Sequence, residues 1–108
     1  MDQALNGIGV LDPTEYIAGP FGGKQFADFG ADVIKIENPN GGDPARRYGP
    51  FPGDKPNPEA SGLFLHLNRN KRGITLDIAT ATGRDLFLRL VESADIVLES
   101  FPPGYLEQ

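Results

Sequence analysis

The sequence has 108 residues, with 15 acidic and 10 basic side chains, one histidine and no cysteine, which gives a formal net charge of −5. This length allows one small domain at most, and the lack of cysteine excludes disulfides and thiol chemistry. An acidic chain is a poor partner for nucleic acid or an anionic membrane, because both require excess positive charge. No apolar run approaches the 18 or so residues that span a bilayer, and the opening residues MDQALNG lack the features of an export signal. We therefore expect a soluble cytoplasmic protein.

The first third of the chain predicts a strand, a helix and a second strand. Apolar residues at 8, 10 and 11 form a short strand that ends at Asp12-Pro13. Residues 20–29 have apolar side chains at helical spacing, with Gly30 in the position just after the helix. A β-branched run follows over residues 32–36 and predicts the second strand.

The last half of the chain continues the alternation of helices and strands. We predict a short helix over 61–68 that begins at Ser61, and a strand in which Ile74, Leu76 and Ile78 alternate with polar residues. A longer helix begins at Thr80 or Thr82, since the apolar stripe over 86–91 has helical spacing. A final strand over 96–98 ends at the breaker Phe101-Pro-Pro-Gly104.

Between these parts lies a segment rich in glycine and proline. Residues 38–62 contain six of the ten prolines, a density that no regular helix or strand tolerates. Loops this long inside a small domain are typically binding loops, lids or arms that wrap a partner. The aromatic residues Tyr48 and Phe51 and the pair Arg46 and Arg47 favour docking onto the domain over disorder.

This alternation predicts an α/β fold, an open parallel sheet with flanking helices, over residues 1–108. In such sheets, ligands bind beyond the carboxyl ends of the strands, where the loops meet. The loops at that edge are 12–20, 37–40, 77–80 and 99–104.

Several residues in or near these loops have both a chemical and a structural interpretation. Asp12 is well placed for chemistry, but a carboxylate that caps a turn is the interpretation we prefer. The segment Gly19–Gly23 predicts either an anion site at a helix start or close packing of the helix on the sheet. His66 lies between leucines and is interpreted as a core or half-buried histidine, and no motif predicts a metal site.

The cluster Asn68-Arg-Asn-Lys-Arg72 has three positive charges within four residues. It is interpreted either as an attractor for a phosphate-bearing ligand, with Arg72 as a binding residue, or as a solvated turn.

At this point the motifs resemble those of a known family. The runs GIGVLDPTEYIAGPFGGKQFADFGADVIKIENPNGGDPARRYGP and NRNKRGITLDIATATGRDLFLRLVESADIVLESFPPG are similar to the N-terminal portion of the CaiB/BaiF family, the class III (formyl-CoA type) CoA-transferases. The motifs AGP, GADVIKIE, GD, NKR, LD and PG recur in the family's order and near its spacing. The resemblance covers nearly the whole chain but only about the first quarter of a family member.

The resemblance implies an enzyme that moves coenzyme A from an acyl-CoA to a carboxylic acid, with both as substrates and no permanently bound cofactor. In the family, an aspartate attacks the acyl-CoA, and an aspartyl-CoA thioester follows. No aspartate of this chain matches that nucleophile, so we assign no catalytic residue and expect the chain alone, as an apparently truncated piece, to be inactive. Family members form interlocked homodimers, to which the segment 38–62 would contribute.

The family's CoA contacts carry over to positions in the predicted loops. They fall on Ile17, Ala18, Asn38, Leu76, Asp77, Ile78, Ala79, Ser100, Phe101 and Pro102. Some members have arginine at the position of Asn38 and asparagine at that of Ser100. A Cys-Thr type pair is usual where Gly22-Gly23 stands, and the two glycines are expected to loosen the first helix by up to about 1 kcal/mol each.

Two other functions remain open at this stage. An acyl-CoA racemase of the same family shares this N-terminal part and differs in residues downstream of Gln108. A non-catalytic α/β interaction module is the alternative from another class, since the chain has no evident pair of nucleophile and base.

Overall fold

A computed structural model describes residues 3–101 as a four-stranded parallel sheet flanked by helices, which confirms the predicted fold class. The strands lie in the order β3-β2-β1-β4, all parallel. The elements are β1 Gly9–Asp12, α1 Ala18–Asp28, β2 Asp32–Glu37, α2 Gly62–Leu67, β3 Arg72–Thr75, α3 Ala81–Ser93 and β4 Ile96–Val97.

Local signals account for three of the six ends of the α-helices. Ser61 accepts a hydrogen bond from the Phe64 N–H at the start of α2, and Thr80 accepts one from the Gly83 N–H at the start of α3. Thr80 is therefore the residue that caps α3, and Thr82 lies inside the helix. Gly30, with φ of +102°, adopts the left-handed conformation that follows α1.

Two predicted boundaries differ from the structure by two residues or more. Helix α1 begins at Ala18 rather than at residue 20, because Pro20 is tolerated in the first turn of a helix. Strand β3 ends at Thr75, so Leu76 and Ile78 lie beyond it. The Leu76 N–H still donates to the Glu37 carbonyl at 2.9 Å, but the chain then turns at Asp77.

The core has two parts, one on each face of the sheet. Successive side chains of a strand point to opposite faces, so Val10 packs with Ala27 of α1 while Leu11 packs with Phe87 of α3. Both strand residues are at most 2% exposed. The sheet therefore has a helix on each face, and its strand ends remain available for a site.

The Pro- and Gly-rich segment 38–62, called the arm below, packs against the domain as its aromatic and arginine residues predict. It contains two short 3-10 turns, Pro44–Arg47 and Pro52–Asp54. The buried Asp43 of the arm forms an ion pair with Lys35 of β2 at 2.7 Å, and the Arg46 guanidinium lies 3.7 Å from the ring centroid of Phe64 in α2.

None of the helices within residues 3–101 combines the length and apolar character that a membrane span needs.

The two glycines of α1 are predicted to respond oppositely to alanine. A Cβ at Gly22 would meet no atom within 4 Å, whereas a Cβ at Gly23 would lie 2.6 Å from the Asp12 carboxylate. We expect Gly22→Ala to raise the free energy of unfolding by up to about 1 kcal/mol through helix propensity. Gly23→Ala should lower it by about 1–3 kcal/mol through overpacking. Urea unfolding followed by circular dichroism measures both, and equal effects of the two substitutions would contradict the packing described here.

Candidate functional site

A cavity of about 270 Å³ lies at the carboxyl edge of the sheet, and residues that follow each of the four strands line it. Because the strands are parallel, their carboxyl ends meet at one edge, and the prediction that the four loops converge there is confirmed. The lining residues are Pro13, Glu15, Ile36, Asn38, Leu76, Asp77, Ile78, Ala79 and Phe101.

The lining combines apolar walls with hydrogen-bonding groups. Leu76, Ile78 and Phe101 supply apolar surface, while Glu15 and Asp77 supply carboxylates. No lysine or arginine is among the lining residues. The cavity therefore suits a partly apolar ligand that donates hydrogen bonds, and it repels an anionic group placed inside it.

The turn between β3 and α3 is held by its own side chains. Asp77 accepts a hydrogen bond from the Ala79 N–H at 3.0 Å, and the Thr80 hydroxyl donates to the Asp77 carbonyl at 2.9 Å. Gly83 brings α3 so close to that carbonyl that any Cβ there would collide with it. Only glycine at residue 83 is compatible with this close contact, which fixes one wall of the cavity.

The loop after β1 is held by a buried ion pair. The Asp12 carboxylate accepts hydrogen bonds from the Thr14 N–H and hydroxyl, and from Lys71 Nζ at 2.6 Å. Lys71 also donates to the Pro20 carbonyl at 2.9 Å and to Asn68 at 2.7 Å. Burial lowers the pKa of Lys71, although Asp12 opposes this shift. Asp12 is thus the turn-capping carboxylate of the preferred interpretation.

Close packing also describes the glycines at the start of α1. A Cβ at Gly19 would collide with the side chain of Thr14, and one at Gly23 would crowd Asp12 and Lys71. These glycines let α1 approach the loop after β1, which is the packing alternative for Gly19–Gly23.

The positions carried over from the family resemblance fall into three groups. Ile17 and Ala18 are exposed at the start of α1, and Ser100 is exposed after β4, outside the cavity lining. Pro102 lies outside the described residues. Six positions are brought together in the cavity, namely Asn38, Leu76, Asp77, Ile78, Ala79 and Phe101.

Arg72 is not brought to the cavity. It lies at the amino end of β3 and forms a two-pronged ion pair with Asp32, at 2.6 and 2.9 Å, at the amino end of β2. The carboxyl edge with the cavity is the opposite edge of the sheet. Lys71 forms its ion pair with Asp12, and the Asn70 side-chain amide donates a hydrogen bond to the Asp28 carboxylate at 2.9 Å. Two of the three cations of the cluster, Lys71 and Arg72, are therefore held in structural ion pairs, and the third, Arg69, is exposed.

The expectation for His66 is wrong in one respect. The side chain is exposed on α2, not core or half-buried, because the buried face of this short helix is taken by Leu67. Within residues 3–101, no three His, Asp or Glu side chains are grouped as a metal ion would require.

Sequence reasoning missed three lining residues, Pro13, Glu15 and Ile36. Pro13 and Glu15 lie in the predicted loop 12–20, so the loop was identified but not which of its residues line the cavity. An irregular loop has no periodicity from which to infer facing. Ile36 belongs to a strand that is buried on both faces. Apolar and polar residues do not alternate along such a strand, so the sequence does not indicate which of its side chains reach the cavity.

The comparisons with known proteins agree with this architecture, an open parallel α/β sheet with flanking helices. The sequence model of CoA-transferase family III matches residues 5–108, and the chain belongs to this family. Succinyl-CoA:mesaconate CoA-transferase of Haloarcula hispanica is 45% identical over 105 residues, which are 97% of this chain and 26% of the relative. Succinate–glutarate CoA-transferase of Agrobacterium fabrum is 46% identical over 99 residues, 90% of this chain and 25% of the relative.

The fold is likewise shared with solved structures. The crystal structure of a CAIB/BAIF family protein from Brucella suis is 39% identical with a TM-score of 0.86, over 99% of this chain and 28% of that chain. The chain thus spans about a quarter of the length of the relatives it matches.

Glu37, beside the cavity residue Asn38, has a lowered pKa that predicts acid sensitivity. Burial by itself raises this pKa, but hydrogen bonds from Arg46 and the Asp43 N–H, with the positive charges of Arg46 and Lys35, outweigh it. The pKa in the folded state therefore lies below the ordinary value of 4.5. The stabilisation from Glu37 is complete above that value and is lost as the pH falls through the folded-state pKa.

We expect Glu37→Gln to be less stable than the native chain at pH 7, with a gap that narrows below about pH 4.5. Thermal unfolding between pH 7 and pH 3 measures the gap. Glu92→Gln is the matched control, because Glu92 is exposed and forms no ion pair with a described residue. A gap for Glu37→Gln that stays constant with pH would contradict the assignment.

Proposed function

We propose that this chain is the coenzyme A-binding part of a family III CoA-transferase and that the carboxyl-edge cavity holds part of the CoA molecule. The observation that carries the proposal is the convergence of all four strand ends on one cavity. Six positions that correspond to CoA contacts in the family resemblance line it. Family membership supports the same ligand class.

The chemistry of the lining fits the adenosine end of CoA. An adenine ring offers apolar faces to Leu76, Ile78 and Phe101, and its amino group donates to a carboxylate such as Asp77 or Glu15. The free 2′-hydroxyl of the ribose donates in the same way. At about 270 Å³ the cavity is smaller than the roughly 300–1,000 Å³ of sites for drug-sized ligands, so it holds only part of CoA.

The rest of the ligand is proposed to extend over the neighbouring loops. Ile17 and Ala18 present an exposed helix start, and Ser100 is exposed beyond β4. These positions, with Pro102, are proposed to contact the pantetheine portion outside the cavity. Asn38 has no positive charge, so its contact with CoA is a hydrogen bond and not an ion pair.

The reaction we propose for the whole protein is CoA transfer through a covalent aspartyl intermediate. An aspartate attacks the acyl-CoA carbonyl and forms a mixed anhydride with release of the CoA thiolate. The thiolate then attacks the aspartyl carbonyl, which gives an aspartyl-CoA thioester and frees the donor acid. The acceptor carboxylate reverses these two steps and leaves as its CoA thioester, which regenerates the aspartate. We propose further that the whole protein acts as an interlocked homodimer.

Filling the cavity is predicted to weaken CoA binding without unfolding the chain. Ala79 is exposed and lines the cavity, so Ala79→Trp places an indole where the ligand would bind. We expect its dissociation constant for CoA to rise at least about tenfold, as for the loss of a major apolar contact. Calorimetric titration of the 108-residue chain measures it. Ala4→Trp, at an exposed position away from the cavity, should bind as the native chain does. Equal binding by all three chains, or none by the native chain, would refute the proposed site.

The 108-residue chain alone is predicted to transfer no CoA, since none of its aspartates matches the family's nucleophile. Incubation with succinyl-CoA and a dicarboxylic acid, followed by chromatography of the CoA thioesters, tests this. Formation of a second acyl-CoA, with an aspartyl adduct detected by mass spectrometry, would show that an acid in this chain is the nucleophile.

A further inference from the structure

The cavity proposed for CoA lacks any group that neutralises phosphate. Its lining has two carboxylates, Glu15 and Asp77, and no lysine or arginine. CoA is a phosphate-rich anion, and phosphate oxygens placed beside these carboxylates are repelled. Arg72, the cation that the sequence suggested, lies at the other edge of the sheet. The phosphates therefore need a cation elsewhere near this edge.

A second cavity, of about 310 Å³, lies in the arm and has the opposite charge. Arg46, Arg47, Gly41, Phe51 and residues 56–58 line it, and none of the lining residues is acidic. Phe51 and the prolines supply apolar surface beside the two guanidinium groups. Guanidinium groups match the geometry of phosphate oxygens and bind them through paired hydrogen bonds.

The two arginines differ in what they already bind. Arg46 donates two hydrogen bonds to Glu37, at 2.7 and 2.8 Å, and one to the Pro58 carbonyl at 2.8 Å, and it also forms an ion pair with Glu59. Arg47 is exposed and forms no ion pair with any residue in the described part of the chain. Its charge is available to a ligand.

A single tight turn separates the arm cavity from the carboxyl-edge cavity. Asn38 lines the carboxyl-edge cavity, and its carbonyl accepts a hydrogen bond from the Gly42 N–H at 2.9 Å. Gly41, inside this turn, has φ of +99° and lines the arm cavity. A Cβ at Gly41 would lie 2.6 Å from Arg47 Nη2, so glycine makes room for the guanidinium against the turn.

From this juxtaposition we propose that Arg47 and the arm cavity form a phosphate subsite, and that the phosphate it binds is part of the CoA whose adenine occupies the carboxyl-edge cavity. The inference rests on the proposed function for the source of the phosphate. In this arrangement the uncharged adenine base of CoA lies near the carboxylates of Glu15 and Asp77, and a phosphate of CoA lies at Arg47.

The test is a titration of the ¹⁵N-labelled 108-residue chain with inorganic pyrophosphate and, separately, with CoA. The reporters are the Gly41 amide and Arg47 Nε–H for the arm cavity, and the Ala79 amide for the carboxyl-edge cavity. The variant is Arg47→Ala. Arg72→Ala is the matched control, because it also removes one positive charge from an exposed arginine. The ion pair that Arg72 forms with Asp32 is exposed, so its loss changes the stability of the chain little.

In the native chain, we expect pyrophosphate to shift the Gly41 and Arg47 signals. The Gly41 signal should also shift in the control Arg72→Ala, and it should stay unshifted in Arg47→Ala. We expect CoA to shift the reporters of both cavities in the native chain. Arg47→Ala should weaken CoA binding at least about tenfold, as for loss of a charge-assisted hydrogen bond, and Arg72→Ala less than twofold. Added salt should weaken CoA binding less in Arg47→Ala than in the native chain.

The outcomes separate the two proposals. If CoA shifts Ala79 but not Gly41 or Arg47, or if Arg47→Ala binds CoA as the native chain does, the phosphate subsite is wrong and the proposed function stands. If CoA shifts no reporter while pyrophosphate still shifts Gly41, the proposed function fails, and with it the assignment of the phosphate to CoA. If pyrophosphate shifts neither arm reporter in the native chain, the subsite is refuted directly.

Discussion

The carboxylate of Asp12, wholly buried at the end of β1, holds together the parts of the molecule that surround the candidate site. It caps the loop through Thr14 and binds Lys71 from the segment just before β3. The same lysine reaches the Pro20 carbonyl in α1, so one ion pair joins a loop, a helix and the start of a strand. A buried pair of this kind is costly to break, about 3–5 kcal/mol when one partner is removed. The requirement for glycine at residue 23 is a direct consequence of this contact.

A second buried pair, Lys35 with Asp43, performs the same task for the arm. It ties the arm to β2, and Asp43 also accepts hydrogen bonds from the Tyr16 and Ala45 N–H groups. Within the described residues, five cations form ion pairs with acidic side chains, namely Lys24, Lys35, Arg46, Lys71 and Arg72. The local charge therefore depends on which charged groups remain exposed near each cavity. The carboxyl-edge cavity is left acidic and the arm cavity basic. The chain's overall net charge of −5 does not reveal this separation. A net charge sums all the charged side chains, whereas the local potential at each cavity depends on where those side chains lie in the folded structure.

Local patterns in the sequence were sufficient for the fold class and for most elements. Ser61 and Thr80 predicted helix starts because a cap acts within three residues, and Gly30 predicted a helix end for the same reason. The β-branched run of β2 predicted a strand without any knowledge of its neighbours. The rule that parallel strands present their carboxyl ends at one edge then placed the four loops together. The family resemblance rested likewise on contiguous motifs, and the comparisons confirm it.

The partners of the charged residues were decided only by the tertiary structure. Lys71 and Arg72 are adjacent in sequence, yet one is buried against Asp12 and the other lies exposed against Asp32 at the opposite edge. Arg46 and Arg47 are adjacent as well, and only Arg46 meets Glu37. Likewise, β3 ended earlier than its alternation indicated, since the turn at Asp77 is held by contacts with α3 as well as by its own residues. Composition and periodicity report what a residue prefers within a few positions, whereas an ion pair depends on which distant group the folded backbone brings within about 4 Å.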